Sequence, residues 1–159
     1  MQEEINYKLL FIKLAESKGY KILKPKYQQK QNNIDFILEG QNQGQATSVT
    51  VDLKKKNSKN ANSWVYVEFE SSKGEKGWIY GSCDFIVFET GSNFIFVPRK
   101  QLINYLSSNS LVRWDLPYVD KPWASKYRLF RRNKTLETIT QIQVKDLLNI
   151  KNHKIWPKL

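Results

Sequence analysis

Hydrophobic and polar positions alternate most cleanly from Val49 to Lys54. Val49, Val51 and Leu53 fall on one face of an extended segment, and Thr50, Asp52 and Lys54 on the other. The same period recurs in Ile34, Phe36 and Leu38, with Asp35 between them, and from Trp64 to Glu70, where Val65, Val67 and Phe69 oppose Trp64, Tyr66, Glu68 and Glu70. These three segments are predicted strands. From Glu3 to Ser17 the period changes: Ile5, Leu9, Phe11, Ile12, Leu14 and Ala15 recur mostly three, four or seven apart, which predicts an amphipathic helix capped near Gly19. A short strand over Tyr20 to Lys24 follows, halted before Pro25. The polar segments 27–33 and 40–45 read as loops, the second joining the Asp35 and Asp52 strands into a hairpin.

Downstream, Lys55 to Ser63 is a basic, Asn-rich connection, 71–76 a loop, and Gly77 to Gly81 a helical turn or tight loop. Asp84 to Thr90 and Asn93 to Val97 predict a hairpin around Gly91-Ser92, and Pro98 opens a helix from about Arg99 to Leu106. Beyond residue 107 the periodicity weakens, leaving a predicted strand around Ile139 to Val144 and a short helix from Lys145. Mixed order of this kind predicts an α/β protein, and 159 residues can bury one sizeable core. Residues 1–106 are expected to form that core, and 107–159 a basic, aromatic C-terminal extension packed on it rather than a separate domain.

Hydrophobic residues at 40% and aromatics at 13% argue against general disorder. The formal net charge of +11 changes the functional picture, because such an excess of cations favours polyanionic partners. Cys83 and His153 are single, so there is no intrachain disulfide and no Cys/His zinc cluster. Chemistry that needs histidine is excluded unless the near-terminal His153 folds back. Any metal is therefore held mostly by oxygen. The start, Met1-Gln2-Glu3-Glu4, is acidic where a secretory leader would be basic, and no apolar run approaches the roughly 18 residues of a membrane span. The expectation is an intracellular, cytoplasmic protein with no membrane contact.

Two carboxylates and a lysine on neighbouring strands can hold a divalent cation beside a phosphate. Asp35 and Asp52 would offer oxygen ligands to Mg2+, and Lys54 would orient the attacking water or neutralise charge on the pentavalent phosphate. The simpler alternative is an edge acid and a surface ion pair worth about 0 to 1 kcal/mol. Strand phase selects Lys54 over Lys55, which points to the opposite face.

A helix, a strand, Asp35, then Asp52-Leu53-Lys54 on the next strand resembles the core of the PD-(D/E)xK nuclease superfamily, with Ile34 standing where many members have proline. Val65-Tyr66-Val67-Glu68, then Gly77-Trp78-Ile79-Tyr80 and Asp84-Phe85, is similar to the pattern after the catalytic lysine in compact phage-type nucleases of that superfamily. Its small cyanobacterial homing endonucleases are another neighbour. The resemblance covers roughly residues 3–106. It implies a restriction-endonuclease-like core, Mg2+ with Mn2+ substituting, and a bacterial or phage-encoded DNA endonuclease, homing or restriction-like. It further implies a helix acid in the metal shell, for which Glu4 is the candidate, and Glu68 as an acid near the site.

Lys55, Lys56, Lys126, Arg128, Arg131, Arg132 and Lys134, the last five interleaved with Tyr127, Leu129 and Phe130, are candidate nucleic-acid contacts. Double-stranded DNA is the expected partner. One catalytic centre per small chain points to a homodimer or homotetramer. Two alternatives remain open: a structure-selective junction nuclease, and a protein that binds DNA or RNA without catalysis.

Overall fold

In the computed structural model, the alternating segments assemble into two sheets. The structure describes residues 2–42, 44–108 and 110–159, with the side chains of 2–6 and 42 outside that description. In chain order the elements are α1 (Gln2–Ser17), β1 (Lys21–Leu23), α2 (Tyr27–Gln31), β2 (Phe36–Asn42), β3 (Gln45–Lys54), β4 (Trp64–Glu70), β5 (Phe85–Glu89), β6 (Asn93–Pro98), α3 (Arg99–Ser108), β7 (Phe130–Arg131), β8 (Thr138–Gln143), α4 (Val144–Leu147) and β9 (Lys154–Pro157). The larger sheet runs β1-β2-β3-β5-β6-β9 and is mixed, because β3 and β5 pair in parallel while its other neighbours are antiparallel. The smaller sheet, β4-β8-β7, is antiparallel. The protein is thus a mixed α/β protein with a mixed sheet and a second antiparallel sheet.

Strand alternation assigns each face of the large sheet to a different cover. Val51, Leu53, Val87, Phe94 and Phe96 pack with Tyr7, Phe11 and Ala15 of α1 and with Trp156 of β9. Ile86, Phe88, Ile95 and Val97 pack on the opposite side with Val65, Val67 and Ile142 of the second sheet and with Leu102 of α3. Phe11 is fully buried, and its ring centre lies 5.4 Å from that of Phe94 and 5.7 Å from that of Trp156. Gly19, at φ 90°, ends α1 where a left-handed residue is needed, and Tyr20 N donates to Ala15 O at 3.0 Å. No helix among the described residues is long and apolar enough to cross a membrane.

Three expectations differ from the structure. The polar segment 27–33 holds the short helix α2, with Gln29 Oε1 accepting from Lys26 N at 2.8 Å. The segment 40–45 is mostly strand: pairing continues to Asn42 and Gln45, with Gly44 at φ 81°. Residues 45–48 of that ribbon are exposed, so its polarity reflects solvent on both faces and not an absence of pairing. Finally, β9 joins the large sheet beside β6, and β8 pairs with β4, so the region after 107 contributes to both sheets.

Truncating Phe11 to alanine removes contacts to four rings at the centre of the α1 face, and should cost about 3 to 5 kcal/mol in urea unfolding. Leu9→Ala, on the 48% exposed side of the same helix, should change stability by only about 0.5 kcal/mol. Equal losses in the two variants would contradict the packing of α1 on the sheet.

Candidate active site

Antiparallel pairing places Phe36 of β2 opposite Val51 of β3. Just before β2 the regular register breaks, Asp35 N donating to Val51 O at 2.8 Å, and the Asp35 carboxylate comes close enough to Asp52 to act on its ionisation. Asp35 is anchored by its side chain as well, its Oδ2 accepting from Leu53 N at 2.7 Å. Lys54, two residues after Asp52 on the same face, brings Nζ to 3.0 Å from Asp52 Oδ1. Its ammonium also rests 4.4 Å from the centre of the Trp78 ring. The three residues picked out by strand phase are therefore brought together.

Asp52 is only 2% exposed, and its Oδ2 is buried with no hydrogen-bond partner. Burial pushes its carboxyl up to about 7; Lys54 pulls it down and the neighbouring Asp35 carboxylate pushes it up further. An orphaned carboxylate oxygen beside a second carboxylate fits a hard divalent cation, which favours oxygen donors and keeps some of its waters. Among the described residues no group of three His, Cys, Asp or Glu is placed to hold a metal, so the protein's share of such a site is the acid pair. Cys83 lies near it, and burial, reinforced by Asp52, pushes its thiol up to about 12. It stays a neutral thiol.

Glu68 comes from β4 of the second sheet. Its Oε1 accepts from Trp78 N at 3.2 Å, and burial raises its carboxyl, with Lys54 close enough to oppose that rise. The 3-10 turn Trp78–Tyr80 that supplies Trp78 is set by Gly77, whose N donates to Phe69 O at 2.9 Å. A Cβ on Gly77 would meet Glu68 O at 2.2 Å, so only glycine lets the turn press against β4. Trp78 as the rest for the lysine was not anticipated; the Gly77-Trp78 pair was its signal, legible only as packing. Asp84 has a structural role as well, its Oδ2 accepting from Thr50 N at 2.9 Å and so tying the start of β5 to β3.

The remaining candidates are scattered. Glu4 lies in the first turn of α1, its side chain outside the described residues. The body of α1 covers the sheet face opposite Asp52 and Lys54. Lys55 and Lys56 are exposed just beyond β3, and Lys56 N donates to Glu89 Oε1 at 3.0 Å. Lys126 and Lys134 are exposed. Arg131 pairs with Glu70 at 3.3 Å and Arg132 with Glu137 at 3.2 Å. Arg128 Nη2 donates to Pro117 O at 2.7 Å and its Nε is buried, so part of this guanidinium props the loop before β7.

The raised Asp52 carboxyl has a consequence for stability without metal. The folded chain holds that proton more tightly than the unfolded chain, whose aspartates titrate near 3.9. Asp52 therefore costs stability progressively as pH rises from about 4 to about 7, and the cost is fully present above that. In EDTA at pH 8, Asp52→Asn should be more stable than wild type by on the order of 2 kcal/mol, with the gain shrinking toward pH 4. A gain independent of pH in urea titrations would contradict the raised carboxyl. Comparison of the chain with protein-family models, with curated proteins and with solved structures found no match.

Proposed function

We propose that this chain is a Mg2+-dependent DNA endonuclease with a PD-(D/E)xK-type centre, homing or restriction-like in its use. One observation carries the reading: the Asp35 carboxylate beside that of buried Asp52, with Lys54 paired to Asp52 and one Asp52 oxygen left without a partner. Phosphodiester hydrolysis has a very high uncatalysed barrier. A divalent cation held by Asp35 and Asp52 would supply polarisation of the phosphoryl oxygen and acidified water.

The protein's own groups have distinct tasks in this reading. Asp35, its Oδ2 fixed by Leu53 N, would offer the cation a carboxylate already held beside Asp52. Asp52 must lose its proton to act as a ligand, which ties cation binding to pH around 7. Lys54 would exchange Asp52 for the phosphate, its ammonium confined by the Trp78 ring. The described residues of each chain hold one such cluster, so cutting both strands takes two chains or two sequential nicks, and a homodimer or homotetramer is the proposed assembly.

A second reading, nucleic-acid binding without catalysis, is favoured by the Lys54 to Asp52 ion pair, which as it stands neutralises both groups. Supercoiled plasmid libraries in Mg2+ or Mn2+, at low to moderate salt, separate the two. Wild type should nick or linearise DNA only when metal is present, and Asp35→Asn, Asp52→Asn and Lys54→Ala should each reduce the rate at least about 100-fold. Intact DNA across the library would leave the binding reading; equal cutting by Asp52→Asn and Lys54→Ala would reject this site.

A further inference from the structure

An exposed tryptophan on a braced turn is outside everything described so far. Trp123 is 59% exposed, and the ammonium groups of Lys59 and Lys121 lie 5.7 Å and 5.8 Å from its ring centre. Among the described residues neither ammonium is in an ion pair. The two lysines come from separate parts of the chain: Lys59 from the basic connection after β3, and Lys121 from the residue before the 3-10 turn Pro122–Ala124.

Gln141, in the middle of β8 and only 1% exposed, sets both of them relative to the indole. Its Nε2 donates to Pro122 O at 3.1 Å, and its Oε1 accepts from Asn57 Nδ2 at 3.1 Å. Pro122 begins the turn, and Ser125 Oγ closes it on Pro122 O at 2.5 Å. Trp123 is therefore displayed on a fixed base while its ring faces solvent.

The turn also borders the candidate active site. Pro122 lines a cavity of about 340 Å3 whose other walls include Trp78 and Glu68. Trp78 is the ring that carries the Lys54 ammonium. The turn that carries Trp123 and the ring under Lys54 therefore open on one cavity.

We propose that Trp123, with Lys59 and Lys121, is a stacking platform for an unpaired segment of DNA beside the cleavage site. Inside a duplex each base already has neighbours on both faces, so an exposed indole gains a partner only from an unpaired or terminal base. The flanking ammonium groups suit the phosphates on either side of that base. Net charge of +11 favours the same polyanion. The inference rests on the nucleic-acid reading above but not on catalysis, and it narrows the substrate to DNA with a single-stranded or locally opened stretch.

The test uses the full chain in EDTA, so that cleavage plays no part, with fluorescein-labelled oligo(dT) of 15 nucleotides followed by anisotropy. Wild type should bind, and Trp123→Ala should weaken binding about tenfold while Trp123→Phe restores most of it. Lys59→Ala with Lys121→Ala should lower the slope of log affinity against log salt by about one. Trp114→Ala, at a ring 57% exposed but packed 4.8 Å from Phe69, should bind as wild type. A relaxed, covalently closed circular duplex, which has no loop and no ends, should be held equally by wild type and Trp123→Ala. The platform is overturned if wild type fails to bind the oligonucleotide, if Trp123→Ala binds it unchanged, or if that variant loses the duplex to the same extent. Plasmid cutting that persists alongside any of those results would leave the nuclease reading standing without the platform.

Discussion

The register between β2 and β3 is the constraint on which the site depends. Set by the hairpin, it brings Asp35, just before β2, beside buried Asp52, and the Asp35 carboxylate opposes ionisation of its neighbour. A slip of one residue would turn Asp52 and Lys54 into the α1 face and move Val51 and Leu53 out of it. The apolar half of the alternation therefore protects the polar half: Val51 and Leu53, buried against Phe11, hold the register that the acids would otherwise oppose. Such placement of unfavourable charge is common at functional sites.

The second sheet completes the other side. β4 packs its Val65 and Val67 against Ile86 and Phe88 of the large sheet, and the close approach at Gly77 carries Trp78 to Lys54. Lys54 is thereby shared between a carboxylate and an aromatic face. The arrangement keeps a cation next to the acid pair while leaving its head within reach of an incoming anion. Glu68 accepts from Trp78 N and so helps fix the turn that carries this ring, and its charge also interacts with Lys54.

Much of this was legible before any coordinates. The period of two in Val49 to Lys54 and in Trp64 to Glu70 assigned faces correctly, because residue type alternates there even where burial does not: Val51, Asp52 and Leu53 of β3 are all buried, on opposite faces. The juxtaposition of Asp35, Asp52 and Lys54 follows from that phase plus one hairpin. What stayed hidden is long-range. Nothing local shows that Leu53 N binds Asp35, that Arg128 donates to Pro117, or that Gln141 joins two loops. β9 was missed because Lys154–Pro157 is short, mostly exposed and proline-terminated, and only its Trp156 is buried. The polar segment 40–45 reads as loop because the pairing of Gly40 with Thr47 and of Gln41 with Ala46 leaves no mark on so polar a sequence.

Calorimetric titration of the chain with Mn2+ tests the central claim most directly, since it asks whether the neighbouring carboxylates bind a cation without requiring a substrate. At pH 6.5 wild type should bind Mn2+ at about one site per chain with release of a proton, seen as a heat that varies with the ionisation enthalpy of the buffer. The proton is the one held by Asp52, and both the binding and the release should vanish in Asp35→Asn and in Asp52→Asn. Binding that is absent in wild type, or that survives in both variants, would contradict a cation site built on the register of β2 and β3.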